Sequence, residues 1–204
     1  MVDMSTLLYI KANPKTDAES ATFKVSERFI EEYKSKNPEH TIITLDLYKE
    51  GVEPLSRADI QYLFSPNIEK SRAHHIVRYA YQFAEADKYV FAAPIWNLSI
   101  PSILKAYIDY IAIAGITFKY TEEGSIGLCC DKKAIHITAR GGLYSQPPLS
   151  EIEMGDRYLR KILNFMGIQD IQTLTIEGLN IITLDHDAII EDGIQRAIES
   201  AKRF

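Results

Sequence analysis

The sequence predicts an α/β protein of three layers, in which a five-stranded parallel sheet carries helices on both faces. Short apolar runs alternate with segments of helix length throughout the chain, which is the βα repeat of a parallel sheet. The run Lys88–Ala93 is almost continuously apolar, as is typical of a strand covered on both faces. Hydrophobic residues make up 46% of the chain and charged residues 25%, which suffices for a full core. No linker divides the sequence, so residues 1–204 are expected to form a single domain.

The strands are predicted from short apolar runs bounded by helical segments or turn signals. In chain order they are Thr6–Ala12, Thr41–Leu47, Lys88–Ala93, Ala134–Thr138 and Ile171–Ile176. A further segment, residues 116–121, alternates with period two and then turns at Glu123-Gly124. This pattern predicts a hairpin outside the parallel sheet.

The helices are predicted from apolar residues that recur at helical spacing. The first helix must end before Pro38, and the third has Gly115 as its stop. Their apolar faces consist of Ala21, Val25, Phe29, Ile30 and Tyr33 in the first helix, and of Ile100, Ile103, Leu104, Tyr107, Ile108 and Ile111 in the third. Three more helices are predicted over Asn67–Ala86, Glu151–Met166 and His186–Lys202, and residues 51–65 are interpreted as a loop with a short helix.

Charge and cysteine content disfavour several classes of protein. A net charge of −5 provides no basic surface, so nucleic acid is not an expected partner. The chain shows no secretory signal and no apolar run near the ~18 residues of a membrane span, so a cytoplasmic protein is expected. Cys129 and Cys130 are sequence neighbours, which excludes Cys-x-x-Cys spacing and predicts plain thiols. No metal site is predicted, since the adjacent His74 and His75 diverge by about 100° on a helix.

The most informative stretch is Ile95-Trp96-Asn97-Leu98, which follows the third strand after Pro94. Ligands of open parallel sheets bind at the carboxyl ends of the strands. The only tryptophan of the chain therefore stands where a planar cofactor would be held. The alternative is that Trp96 fills the core, and for this residue taken alone that alternative is the better one.

The turn between the first strand and the first helix, residues 12–22, lies where mononucleotide folds bind phosphate. Ser20 and Thr22 add hydroxyl groups on either side of Ala21. The turn has neither the P-loop pattern nor the dinucleotide glycine pattern, so a phosphomonoester such as that of FMN remains as a ligand. The alternative is that Ser20 only caps the helix. The acidic Asp17 and Glu19 of this turn are expected to point to solvent.

A glycine turn, Ala139-Arg140-Gly141-Gly142, follows the fourth strand. Two adjacent glycines allow backbone amides to approach a ligand closely, although such a pair is also common in ordinary loops. The three loops follow strands one, three and four, which surround the crevice of a flavodoxin-like sheet with strand order 2-1-3-4-5. Their joint placement is much more specific than any one of them.

With these three loops, the chain resembles the FMN-dependent NADH-azoreductases of the flavodoxin-like quinone reductase superfamily. The resemblance extends over the whole chain and is strongest from residue 88 to residue 142. It is carried by Ala-Ala-Pro-Ile-Trp-Asn-Leu, Pro-Ser-Ile-Leu-Lys-Ala-Tyr-Ile-Asp, Ala-Gly-Ile-Thr-Phe-Lys-Tyr-Thr-Glu and Ala-Arg-Gly-Gly.

The resemblance implies a homodimer with one FMN per subunit near the interface, and it implies roles for individual residues. Ile95, Trp96, Asn97 and Leu98 would wrap the isoalloxazine, and Ala139, Arg140, Gly141 and Gly142 would border its pyrimidine end. Ser20, Ala21 and Thr22 would hold the phosphate, with Asn13 at the mouth of the loop. Tyr120, Tyr144 and Phe165 would line the substrate pocket, although Phe165 equally fits a core or interface position. No side chain is required as a nucleophile, because FMN carries the chemistry.

The function expected from this resemblance is ping-pong transfer of a hydride from NADH or NADPH to FMN, followed by two-electron reduction of a quinone or an aromatic azo compound. Quinones are favoured as acceptors, because transferring two electrons together avoids semiquinone radicals. The main alternative is a flavodoxin-type FMN electron carrier without its own nicotinamide reaction. A flavin-free regulatory or scaffold protein is a third interpretation.

Overall fold

A computed structural model describes residues 4–65, 72 and 74–204. Its strands are β1 (Thr6–Lys11), β2 (Thr41–Asp46), β3 (Lys88–Ala92), β4 (Phe118–Thr121), β5 (Gly124–Gly127), β6 (Lys133–Ala139) and β7 (Asp170–Ile176). Five of them form a parallel sheet in the order β2-β1-β3-β6-β7. Because β6 and β7 are the fourth and fifth predicted strands, the predicted order 2-1-3-4-5 is confirmed.

Helices alternate with these strands along the chain, and some of them begin at a capping side chain. They are α1 (Ala21–Lys36), α2 (Arg57–Phe64), α3 (Arg78–Glu85), α4 (Ser102–Ile111), α5 (Gly155–Phe165) and α6 (His186–Ala201). Ser20 caps α1 by accepting a hydrogen bond from the Phe23 amide, and Asp185 caps α6 in the same way. Ser56 and Asp59 form a reciprocal capping box at α2.

The sheet is covered on both faces, as its apolar strands require. Alternate residues of β1 point to opposite faces, so Leu7 and Tyr9 enter one apolar cluster and Leu8 and Ile10 the other. Helices α1 and α6 cover the first face, and α3, α4 and α5 cover the second. The predicted three-layer, flavodoxin-like arrangement is therefore confirmed. None of the helices in the described ranges combines the length and the apolar character that crossing a membrane requires.

The predicted hairpin is present as β4 and β5, with Thr121 paired to Gly124 at its tip. It packs against the end of α5 rather than against the main sheet. A β-carbon at Gly127 would lie 2.2 Å from the backbone nitrogen of Gly167, so glycine permits this contact between the two backbones. The hairpin is thereby fixed to the turn that follows α5.

The helix predicted over Glu151–Met166 is shorter in the structure. Residues 149–151 form one turn of 3₁₀ helix, and α5 begins only at Gly155. The Met154 amide donates to the carbonyl oxygen of Leu98 at 2.8 Å, and the Glu153 carboxylate accepts from the Asp156 amide at 2.9 Å. Because these tertiary and capping bonds replace intrahelical ones, the chain joins the helix four residues later than its periodicity predicts.

The helix predicted over Asn67–Ala86 also differs. Its described part is α3, which begins at Arg78, while residues 74–77 form turns. The ring Nδ1 of His74 accepts from the Ile76 amide at 3.3 Å, a local bond typical of a turn. Residues 67–71 and 73 of the prediction lie outside the described residues.

Candidate active site

The candidate site lies at the carboxyl edge of the sheet, where the loops after β1, β3, β6 and β7 meet. Two adjoining clefts open there. The wide cleft has a volume of ≈ 700 Å³, and the α1 cleft, beside the first turn of α1, has a volume of ≈ 350 Å³. Ile95, Trp96, Gly141 and Asn180 line both, so the two clefts form one continuous depression.

The structure brings all twelve predicted cofactor-binding residues to these two clefts. The wide cleft is lined by Ile95, Trp96, Asn97, Leu98, Gly141 and Gly142, and the α1 cleft by Asn13, Ser20, Ala21, Thr22, Ala139 and Arg140. Of the predicted substrate-pocket residues, Tyr144 lines the wide cleft.

A tight turn at residues 96–99 forms one wall of the wide cleft. The Trp96 amide donates to the Ser99 carbonyl at 2.8 Å, and the Ser99 amide donates back at 3.0 Å. Asn97 and Leu98 between them have φ values of 47° and 68°. Two successive positive φ values are typical of a type I′ turn, and at Leu98 they cost conformational energy because its side chain disfavours this region. The turn keeps Trp96 39% exposed instead of burying it in the core.

The opposite wall is the glycine turn, which is paired with the loop after β7. The Asn180 amide donates to the Gly141 carbonyl at 2.9 Å, and the Leu179 amide donates to the Arg140 carbonyl at 3.3 Å. A β-carbon at Gly141 would lie 2.4 Å from Nδ2 of Asn180, so any side chain at this position would force the Asn180 side chain to move. Gly142 has more room, since its nearest neighbour would be the Tyr144 ring at 3.1 Å.

The loop Leu179–Ile181 was not predicted from the sequence, although Asn180 lines both clefts and Ile181 the wide one. Its residue types carry no binding motif. The available signal was positional, because the loop follows the fifth parallel strand and therefore reaches the same edge of the sheet as the others.

The α1 cleft presents hydrogen-bond donors. Ser20 Oγ already accepts from the Phe23 amide at 3.2 Å and from Asn13 Nδ2 at 3.1 Å, so its own proton is the group it can still offer. The amides of Ala21 and Thr22 belong to the first turn of α1 and donate to no acceptor within the described ranges. Together with the helix dipole, these donors favour an anion.

The hydroxyl of Thr22 also has a structural contact within the fold. Thr22 is fully buried, and its Oγ1 accepts from the Ala139 amide at 3.2 Å, which ties α1 to the end of β6. Its side chain therefore supports the wall of the α1 cleft, while its backbone amide is the group suited to a ligand.

The acidic residues of the loop after β1 are not simply turned to solvent. Asp17 is bound to the ammonium group of Lys11, with 2.5 Å between Oδ1 and Nζ. Glu19 accepts hydrogen bonds from the amide and the hydroxyl of Thr16, at 3.1 Å and 2.7 Å, and these bonds lower the pKa of its carboxyl group. Both side chains are exposed, as expected, and each also has a hydrogen-bond partner in the protein.

Arg140 is buried between two carboxylates. Its guanidinium group lies 3.0 Å from Glu177 and 3.7 Å from Glu153, and it is 5% exposed. Its Nε atom is buried without a hydrogen-bond partner in the described part of the chain. The side chain thus carries a neutralised charge at the floor of the α1 cleft, and it fixes the glycine turn to the start of α5.

A buried network supports the root of the 96–99 turn. His136, which is 2% exposed, has Nδ1 3.0 Å from Asp156 and Nε2 3.2 Å from the Ala93 carbonyl oxygen. Burial alone raises the pKa of the Asp156 carboxyl group, but hydrogen bonds from His136, Thr173 and Arg160 outweigh this effect and hold its pKa well below the usual range. His136 is hydrogen-bonded within the fold, as predicted for a structural histidine.

Tyr120 and Phe165 do not line either cleft of their own chain. Both contact Phe118, with ring centroids 5.3 Å and 4.6 Å from its ring. The physical reason is the attachment of the hairpin to the turn after α5, which places these rings beside that turn instead of over the wide cleft. Tyr120 is 73% exposed, so this aromatic group is open to solvent.

Comparison with known proteins links this fold and these loops to a family. Residues 5–201 match the family described as having a flavodoxin-like fold. The FMN-dependent NADH:quinone oxidoreductase of Caldicellulosiruptor saccharolyticus is 59% identical over 201 residues, covering 98% of this chain and 100% of the relative. The chain belongs to this flavodoxin-like family.

Two solved structures extend the comparison to three dimensions. An azoreductase from Bacillus anthracis superposes with a TM-score of 0.90 at 38% identity, covering 98% of this chain and 100% of the other. An FMN-dependent NADH-azoreductase of the same species, crystallised in complex with FMN, gives a TM-score of 0.90 at 32% identity, with 98% and 99% covered. The family resemblance inferred from residues 88–142 is thereby confirmed.

Proposed function

We propose that this protein is an FMN-dependent NAD(P)H oxidoreductase that reduces quinones by two-electron transfer and cleaves aromatic azo compounds. The observation that carries the proposal is the set of unpaired backbone donors around the two joined clefts. The amides of Asn97, Gly141 and Gly142, like those of Ala21 and Thr22, donate to no acceptor within the described ranges. The names of the 59% identical relative and of the two azoreductases agree with this activity.

The residues fit FMN at both ends of the depression. In the α1 cleft, the Ser20 hydroxyl and the amides of Ala21 and Thr22 would bind the phosphate, with Asn13 orienting Ser20. In the wide cleft, Ile95, Trp96, Asn97 and Leu98 would hold one side of the isoalloxazine, and Ala139, Arg140, Gly141 and Gly142 would border its pyrimidine end. Because Gly141 has no side chain, Asn180 can pack directly against it, and any larger residue at 141 would displace Asn180.

FMN, when bound, would accept a hydride and then pass two electrons to the acceptor. The chain itself provides binding and orientation. Backbone amides of the glycine turn would stabilise the negative charge that reduction places on the pyrimidine end, because they are fixed in advance by the pairing with the loop after β7. Tyr144 and Ile181 would bound the space in which nicotinamide and acceptor are received in turn, which makes ping-pong kinetics the expected scheme.

We infer further that residues 1–204 act as one FMN-binding domain and that the active unit is a homodimer. The apolar surface beside the hairpin supports a dimer, since Tyr120, Ile126 and Leu128 are all more than 40% exposed. In such a dimer, Tyr120 and Phe165 would reach a substrate pocket that they do not reach within a single chain. Quinones are the proposed physiological acceptors.

The test begins with the colour of the purified protein. We expect a yellow protein whose chromophore, released by denaturation, has the mass of FMN, and which oxidises NADH when menadione is added. Protein that stays colourless after incubation with excess FMN would contradict the proposal. Bound FMN without NADH oxidation would support the electron-carrier alternative instead.

Two kinetic measurements test the finer statements. Initial rates at several acceptor concentrations should give parallel double-reciprocal lines, as a ping-pong scheme requires, and intersecting lines would refute it. Turnover with a benzoquinone should exceed turnover with an azo dye. A clear preference for the dye would overturn the assignment of quinones as the physiological acceptors.

A further inference from the structure

The loop that forms the α1 cleft is attached to the body of the protein through a buried lysine. Lys11, the last residue of β1, is 6% exposed. Its ammonium group lies 2.5 Å from Asp17 Oδ1, in the loop, and 2.7 Å from Glu27 Oε1, on α1. One buried cation therefore joins the end of a strand, a helix and the cleft loop.

The surroundings of Lys11 keep it charged and fixed. Burial alone lowers the pKa of the Lys11 ammonium group, but the hydrogen bonds to Asp17 and Glu27 outweigh this effect and raise it. The ammonium group also lies 4.4 Å from the centroid of the Phe23 ring, and Tyr9 donates to the same Glu27 oxygen at 3.0 Å. Glu27 is thus held by Tyr9 as well as by Lys11. Asp17 is the residue through which the loop itself is attached to Lys11.

We propose that the Lys11–Asp17 pair is a positioning pair, which holds the loop after β1 in the shape that receives the phosphate of FMN. This inference rests on the proposed function. Asn13 and Ser20, which bracket the loop, are hydrogen-bonded to each other only while its two ends stay close. Asp17 is 61% exposed at its side chain, so it has no packing role that would explain its fixed position.

The proposal predicts an effect opposite in sign to simple electrostatics. Asp17 is a negative charge in a loop that would bind a dianion, so removing that charge should strengthen FMN binding if Asp17 acted only through repulsion. If Asp17 holds the loop closed, its removal lowers the fraction of molecules with a formed cleft. The apparent affinity is proportional to that fraction, so binding is about tenfold weaker when only one tenth of the molecules have a formed cleft.

The experiment compares FMN with riboflavin, which lacks the phosphate. Dissociation constants are measured by flavin fluorescence for the wild type, Asp17→Asn, Asp17→Glu and the control Glu31→Gln. The control removes one exposed carboxylate from the outer face of α1, where it contacts Arg28, and so matches the change in net charge. We expect Asp17→Asn to weaken FMN binding about tenfold and to leave riboflavin binding unchanged. Asp17→Glu should restore most of the lost FMN affinity, and Glu31→Gln should bind both flavins like the wild type.

Three results would overturn the inference: tighter or unchanged FMN binding by Asp17→Asn, an equal loss for FMN and riboflavin, or no recovery in Asp17→Glu. Hydrogen exchange provides a readout without flavin, since the amides of Glu19 and Ser20 donate to the Thr16 carbonyl and should exchange faster in Asp17→Asn. Failure of the wild type to bind FMN would refute the proposed function, whereas the exchange result would still decide whether the pair holds the loop.

Discussion

Replacing Asp156 by asparagine should destabilise the fold far more than the same replacement of Asp192. Both residues precede an arginine by four positions on a helix, and the ion-pair distances are 2.7 Å for Asp156–Arg160 and 2.8 Å for Asp192–Arg196. The Asp156 side chain is only 15% exposed, against 67% for Asp192. Asp156 also accepts hydrogen bonds from His136 and Thr173.

The difference in burial sets the expected magnitudes. Removing the Asp156 carboxylate costs about 3 kcal/mol, because the buried His136 and the half-buried Thr173 lose their charged acceptor, whereas Arg160, at 38% exposure, is partly solvated. An exposed pair at this helical spacing contributes about 0.3–0.5 kcal/mol. Urea unfolding of the flavin-free proteins should therefore show a loss of about 3 kcal/mol for Asp156→Asn and less than about 0.5 kcal/mol for Asp192→Asn, with equal m-values.

Acid provides an independent check of the same reasoning. The native pKa of Asp156 lies below its unfolded value, so the stabilisation is fully present above about pH 4 and is lost as the pH falls further. The difference in unfolding free energy between wild type and Asp156→Asn should shrink as the pH falls below about 4. Equal losses for the two variants at pH 7, or a difference that grows on acidification, would refute the argument.

The remaining predictions concern the clefts and the thiols. Gly141→Ala places a β-carbon 2.4 Å from Nδ2 of Asn180, and we expect FMN affinity, measured by fluorescence titration, to fall about tenfold, as the loss of one neutral hydrogen bond would cause. Leu98→Gly relieves the strain of φ 68° but makes the unfolded chain more flexible, so the unfolding free energy in urea should fall by less than about 1 kcal/mol, and a larger loss would show that the turn is unstrained. Cys130 is exposed and should react quickly with a thiol reagent, while the buried Cys129, whose pKa is raised to about 11 by burial, should react only on unfolding.

The sheet could be predicted because its signals are local. Each parallel strand is a short apolar run, and the observed bounds of Lys88–Ala92 and Asp170–Ile176 differ from the predicted ones by a single residue. The loops that follow strands one, three and four could then be placed together, since parallel strands end at a common edge. The sequence alone therefore predicts that Ser20, Asn97 and Gly141 lie around one depression.

Features that depend on tertiary contacts could not be predicted in this way. The late start of α5 reflects a bond from Met154 to Leu98, which are distant in sequence. The pairing of Asp17 with Lys11 depends on the face of the sheet on which Lys11 lies. The sequence pattern does not indicate that face for a charged residue at the end of a strand. The position of Tyr120 depends on how the hairpin packs, and the contact of two glycine backbones that decides it leaves no hydrophobic pattern.

The sheet's hydrogen bonding continues beyond its strands into the walls of the depression. The Ile95 amide donates to the Ala139 carbonyl at 3.1 Å, and the Arg140 amide donates to the Ile176 carbonyl at 2.8 Å. Such walls are assembled when the sheet folds, so little conformational entropy is left to be lost when a ligand arrives. Their amides should exchange with solvent only through global opening, and new ligand preferences can arise at Asn180 or Ile181 by side-chain replacement without rebuilding the backbone.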